Sequence, residues 1–70
     1  MDLKPGRYRH FKGREYRLLA VATHSESQEP MVVYQALYGD QGLWVRPAAM
    51  WNEQIDREGY QGPRFVYIGE

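Results

Sequence analysis

At 70 residues, with nine basic and nine acidic side chains, the chain is long enough for one small domain and carries no net charge. Leu, Ile, Val and Phe make up one fifth of it, a low share, but six Tyr and two Trp add apolar area and the zero charge removes the other mark of a disordered chain. The absence of Cys excludes a disulfide-stapled mini-protein, a thiolate zinc site and an iron–sulfur centre.

Strand signals dominate in chain order. Gly6–Phe11 (GRYRHF) opens, and Lys12-Gly13-Arg14 links it tightly to a long strand over Glu15–His24 (EYRLLAVATH). A polar loop leads to a third strand over Met31–Tyr38 (MVVYQALY). Gly39-Asp40-Gln41-Gly42 then reads as a four-residue hairpin turn with a glycine at each end to take positive φ. Leu43–Arg46 (LWVR) follows. Pro47 suits a first helical position and Ala48-Ala49-Met50-Trp51 are good continuers. The spacing predicts a short helix near 47–53, with Trp51 and Ile55 forming an i, i+4 seam. Gly59 and Gly62-Pro63 precede a last strand over Arg64–Ile68 (RFVYI).

In the second strand Tyr16, Leu18, Ala20 and Ala22 alternate with Arg17, Leu19, Val21 and Thr23, so both faces turn apolar. A long strand that bends and serves two sides of a small barrel has this pattern. The expected architecture is therefore mainly β. It is a single domain over 1–70, a strongly bent antiparallel five-stranded SH3-like barrel whose closure hides its edges, with one short helix. No apolar run approaches the roughly 18 residues of a spanning helix, and Met1–Phe11 lacks a signal-peptide core. A cytoplasmic domain without membrane contact is expected.

Residues 1–17 carry a net +4 and residues 18–70 a net −4. The asymmetry fits a basic arm for nucleic acid, or two halves that pair their charges across the fold. His24-Ser25-Glu26-Ser27-Gln28-Glu29-Pro30 is the densest polar segment. His24 with Glu26 or Glu29 has ligand or acid/base chemistry, but the only other histidine is His10, and Ser, Glu, Gln and Pro are ordinary hairpin-loop residues. No metal site and no cofactor is expected, and the glycines have no phosphate-loop spacing. Aromatics beside arginines form the second constellation: Tyr8 between Arg7 and Arg9, and Trp44 two residues from Arg46. Exposed, such pairs recognise peptides or unpaired bases; buried, the tryptophans are core and the tyrosines cap the fold. Strands two, three and four are antiparallel neighbours, so Arg46 returns to the end where the 24–30 loop lies. There it either ties Glu26 or Glu29 or offers a socket for an anion. The candidate binding residues are thus Tyr8, Arg9, His24, Glu26, Tyr34, Trp44 and Arg46.

Gly6-Arg7-Tyr8-Arg9-His10-Phe11-Lys12-Gly13 with Tyr16, then His24-Ser25-Glu26, Glu29-Pro30-Met31-Val32-Val33-Tyr34 and Ala36-Leu37-Tyr38-Gly39-Asp40, carry a resemblance. With Leu43-Trp44-Val45-Arg46-Pro47, Met50 and Pro63-Arg64-Phe65, they resemble a small bacterial family, domain of unknown function 1653, from about Gly6 to Ile68. Ser27, Ala48 and Trp51 depart from the Thr, Leu and Phe usual in that family, changes that touch packing more than any site. The resemblance implies a bacterial stand-alone domain and brings no activity, ligand or catalytic residue.

Three functions fit these features. One is a binding module that recognises a peptide, protein or nucleic-acid strand through an aromatic and basic surface. The second is a structural subunit of a homodimer or larger homo-oligomer with aromatics buried at a two-fold interface. The third is a ligand-binding protein or enzyme built on His24, Glu26 and Arg46. A barrel this small has little interior for a substrate cleft, while about 800 Å² of surface per partner is within its reach, which favours binding over catalysis.

Overall fold

Alternation along the first strand decides which side of the sheet becomes the interior. In the computed structural model, which describes residues 3–57 and 59–70, β1 (Gly6–His10) buries Tyr8. β2 (Glu15–Thr23) buries Leu18, and β3 (Pro30–Ala36) buries Val32, Tyr34 and Ala36 on the same face. β4 (Leu43–Pro47) runs beside β3, α1 is the single turn Ala48–Trp51, β5 (Gln54–Arg57) and β6 (Tyr60–Pro63) form a hairpin, and β7 (Phe65–Gly69) closes the chain. The five-stranded sheet has the order β4-β3-β2-β1-β7, all neighbours antiparallel, and β5-β6 is a separate two-stranded sheet.

The mainly β fold, the antiparallel five-stranded sheet and the short helix match the reading of the sequence; the closed barrel does not. Among the described residues β4 and β7 end an open sheet. Its inner face is covered instead by α1, while the β5-β6 hairpin meets Phe11, just past β1, through Tyr60. Tyr8, Leu18, Val32, Tyr34, Ala48, Trp51 and Phe65 form the core, with Leu3, Tyr16 and Tyr67 packed against it. The apolar residues on the other face of β2 and β3 do not serve a second layer. A bulge between Leu18 and Ala20 reverses the alternation there, so Leu19 stays exposed and Val21, in register with Val32, comes to the inner side of the sheet, where it is still half-exposed.

The helix stops after one turn. Pro47 is its cap, not its first residue, and no side chain caps it; Asn52 ends it with a long 3.4 Å bond to the Ala48 carbonyl. Ile55 is therefore not one helical turn beyond Trp51 but buried in β5, where Arg57 faces Tyr60 across a tight link containing Gly59 (φ 78). The hairpin is fixed to the sheet by Arg64 N–H to the Glu53 carbonyl (2.8 Å) and Phe11 N–H to the Arg64 carbonyl (2.9 Å). The ion pairs also depart from expectation. Arg7 (3.6 Å) and Arg9 (3.5 Å) both meet Glu15, and Arg64 meets Glu53 (2.8 Å), so among the described residues the ion pairs form within each part of the chain, not between the halves. Asp2 and Glu58 of that charge count lie outside the described residues. Among the described residues no helix is long and apolar enough to cross a membrane.

Gly6 sits at φ 140 where β1 passes the end of β7. A Cβ there would stand 2.9 Å from both the Gly69 carbonyl oxygen and Tyr67 Cε1. Gly42 is not in the left-handed region, and a Cβ on it would meet Trp44 Nε1 at 3.7 Å. Gly6→Ala is expected to lower stability by about 1–3 kcal/mol and Gly42→Ala by less than about 0.5 kcal/mol in urea denaturation. Tyr16 and Tyr38 share a hydroxyl hydrogen bond of 2.9 Å. Burial first, and the bond second, push the Tyr16 pKa up to about 12 from the ordinary 10.0. The raised value favours the neutral form in the fold. That stability is fully present below pH 10.0 and is lost as pH rises from there to about 12. Tyr16→Phe is expected to remove this alkaline slope.

Candidate functional site

Phe65 begins β7 on the inner face and gathers the site around it. The Trp51 ring lies parallel to it, centroids 3.8 Å apart and 4° between planes. His10 (5.0 Å), Tyr16 (5.6 Å) and Tyr34 (6.4 Å) meet it edge-on. The Arg46 guanidinium, delivered by β4 in register with Val32, lies over the ring 5.7 Å from its centroid. Next to these, Phe11 stacks with Tyr60 (5.5 Å, 24°) and packs on His10 (4.6 Å). The Arg57 guanidinium (5.6 Å) and the Lys12 ammonium (5.8 Å) lie over Phe11.

The electrostatics of this face are those of crowded cations. Arg64 donates to Glu53, but among the described residues no carboxylate pairs with Arg46, Arg57 or Lys12. The His10 pKa is lowered from 6.5, first by burial and then by Arg64, Arg46, Lys12 and Arg57. Its Nδ1 accepts the Lys12 N–H (3.1 Å), which leaves a neutral ring with Nε2–H as donor. Two further donors, Trp51 Nε1 and Arg64 Nε, are buried without an acceptor among the described residues. An unpartnered buried donor costs about 1–3 kcal/mol, so the face is rich in N–H and positive charge and poor in acceptors. Beside it, Arg9, His10, Phe11, Gly13, Tyr60, Val66 and Ile68 line a hollow of about 220 Å³.

The residues singled out from the sequence are dispersed by the fold. Tyr8 is core: its ring meets Trp51 and Tyr67 edge-on (5.3 Å each) and its hydroxyl donates to the Lys4 carbonyl (2.7 Å). Tyr34 is core as well, 5.0 Å from Trp51. Arg9 is exposed and meets Glu15. His24 is committed to its own loop, where its Nδ1 accepts the N–H groups of Glu26 (3.1 Å) and Ser27 (3.2 Å). Ser27 and Glu29 bond to one another there, and Gln28 takes φ 63. Glu26 is exposed and makes no ion pair to Arg46, which reaches the predicted end of the sheet but turns onto Phe65. Of the candidates only Tyr34, Trp44 and Arg46 come together: Trp44 is in register with Tyr34, Arg46 follows two residues on along the same face of β4, and Trp44 is exposed, not core. His10, Phe11, Arg57, Tyr60, Arg64 and Phe65 are not among the candidates that the sequence offers. Alternation from Tyr8 to His10 places His10 on the inner face, but the pairing of β1 with β7 that brings Phe65 to it joins the two ends of the chain. Among the described residues no group of three His, Asp or Glu could hold a metal ion.

Fold and site together define a small mainly β domain with one open sheet and a basic, aromatic face. Residues 6–67 match the family model described as a protein of unknown function (DUF1653), and the chain belongs to this family. It is similar to the crystal structure of a protein belonging to DUF1653 from Bordetella bronchiseptica: 41% identity, 97% of this chain and 90% of that one covered, TM-score 0.89. The comparison with curated proteins gives no match.

The lowered His10 pKa has a testable sign. Neutral His10 stabilises the fold fully above the unfolded value of 6.5, and that contribution is lost as pH falls from 6.5 to the lower folded value. Proton NMR titration is expected to show the His10 pKa rising towards 6.5 on adding salt and in Arg46→Gln, since both weaken the surrounding cations while burial still holds it down. A pKa insensitive to both would mean the cations do not act on His10.

Proposed function

We propose that the domain is a small binding module that grips an acidic segment of a peptide or protein partner on the face formed by His10, Arg46, Arg64 and Phe65. One observation carries this reading: the Arg46 guanidinium rests on an aromatic ring, without a carboxylate among the described residues, beside a second arginine and a neutral histidine. A planar guanidinium seated this way is oriented before a partner arrives and offers a fork that matches a carboxylate or phosphate. A nucleic-acid strand is the weaker reading, because a chain of zero net charge has no long-range attraction for a polyanion and few cations to neutralise phosphates. Catalysis by His24, Glu26 and Arg46 has less support still, since His24 Nδ1 already accepts two backbone N–H groups.

Calorimetric titration with a short Glu- and Asp-rich peptide, and with single-stranded DNA of equal charge, tests the proposal. The peptide is expected to bind more tightly than the DNA, to raise the His10 pKa, and to lose at least about tenfold in affinity with Arg46→Gln while stability changes by less than about 1 kcal/mol. Tighter binding of the DNA would move the partner class to nucleic acid. Binding of neither at about 20 mM salt would overturn the proposal, since low ionic strength exaggerates surface electrostatics.

A further inference from the structure

One end strand of the open sheet, β4, is the other feature that asks for a partner. Leu43, Trp44 and Val45 are 66%, 60% and 62% exposed, three large apolar residues in succession on an end strand. Among the described residues the backbone there is unpaired on one side. Ala36 N–H donates to the Gly42 carbonyl (3.1 Å), and directions alternate along an antiparallel ladder. Trp44 and Arg46 therefore turn their N–H and C=O groups to Tyr34 and Val32 of β3, and Leu43 and Val45 turn theirs outward. Pro47 falls at the next outward position, where its missing N–H takes no bond from β3. Soluble proteins usually blunt such an edge with charges, bulges or a covering element. Here the single charge, Arg46, points to the inner face with Trp44.

We infer that β4 pairs with β4 of a second copy, antiparallel about a two-fold axis through Val45, to join the two sheets into one ten-stranded sheet. The strand is complementary to itself in this register. Val45 N–H and C=O exchange bonds with the partner's Val45, and Leu43 N–H donates to the partner's Pro47 carbonyl, a bond that needs no proline N–H. On the outer face Leu43 lies against the partner's Pro47. The row Ala20–Val33–Val45, in register within one copy, continues across the axis. On the inner face Trp44 stands opposite the partner's Arg46, a cation beside an indole and not beside its own like charge. Zero net charge adds no repulsion between copies. An extended peptide from another protein has no such built-in match, which is why the second copy is the occupant chosen. Five residues of strand span about 17 Å, a small contact against the roughly 800 Å² per partner of a standard interface, so association depends on concentration.

Sedimentation equilibrium over micromolar to millimolar protein, with amide hydrogen exchange at both ends of that range, tests the interface. The wild-type chain is expected to dimerise, with protection of the Leu43 and Val45 amides rising with concentration while Trp44 and Arg46 stay protected throughout. Val45→Lys, which sets two ammonium groups face to face, is expected to weaken dimerisation at least about tenfold, and Val66→Lys on the far side of the sheet to leave it unchanged. The chain has no cysteine of its own, so Val45→Cys is expected to form a disulfide-linked dimer on mild oxidation and Trp44→Cys to remain reduced. Cross-linking through Trp44→Cys alone would overturn the register. A monomer at millimolar concentration would overturn the dimer, and protection of Leu43 and Val45 gained only with an added extended peptide would give the edge to that other partner. None of these readouts depends on the acidic-peptide site.

Discussion

The contact on which the rest depends is the stacking of Trp51 on Phe65. A four-residue helix without a side-chain cap has no stability of its own; nucleating a turn costs more than one bond returns, so α1 is held by what it packs against. Trp51, 1% exposed, lies flat on Phe65 with edge contacts to Tyr8 and Tyr34. One indole thus ties the turn after β4 to β1, β3 and β7. The same Phe65 ring that carries Trp51 also has the Arg46 guanidinium over it. The core and the basic face share a ring, and the arginine gains its orientation from the packing that closes the sheet.

That sharing explains how charge is distributed. On the outer face Arg7 and Arg9 are answered by Glu15, and such exposed pairs contribute little beyond local order. On the Phe65 face cations are answered by π electrons in preference to carboxylates: Arg46 by Phe65, Arg57 and Lys12 by Phe11. A ring attracts a cation without neutralising it. The face therefore keeps its field, and that field, added to burial, holds His10 neutral.

The sequence made the sheet legible because period-two alternation and glycine punctuation are strong local signals. The strand assignments at Gly6, Glu15, Leu43 and Phe65 are visible from those alone. The β5-β6 hairpin was not, since Gln54, Asp56, Arg57 and Gln61 are polar and Ile55 is its one buried residue, which reads as easily as the end of a helix. Two apolar faces on β2 point to barrel closure, but the bulge at Leu19 moves Val21 to the side of Val32 and accounts for that pattern without closure. At the site, Trp44 and Arg46 were legible as neighbours because they lie on one strand. Their companions Phe65, Arg64 and His10 were not, because only the long-range pairing of β1 with β7 brings those ends together. His24 looked like chemistry and instead supplies an acceptor for its own turn, a use that residue type and spacing do not distinguish from a ligand.

The central claim, that one aromatic stack both closes the core and orients a free arginine, is tested most directly by proton NMR of the wild-type domain at the Arg46 side chain. The account predicts Arg46 side-chain protons shifted upfield by the ring current of Phe65, with cross-relaxation to the Phe65 ring, while Trp51 shows cross-relaxation to the same ring. Arg46 protons at ordinary shifts, with contacts to Glu26 or Glu29 in place of Phe65, would contradict it.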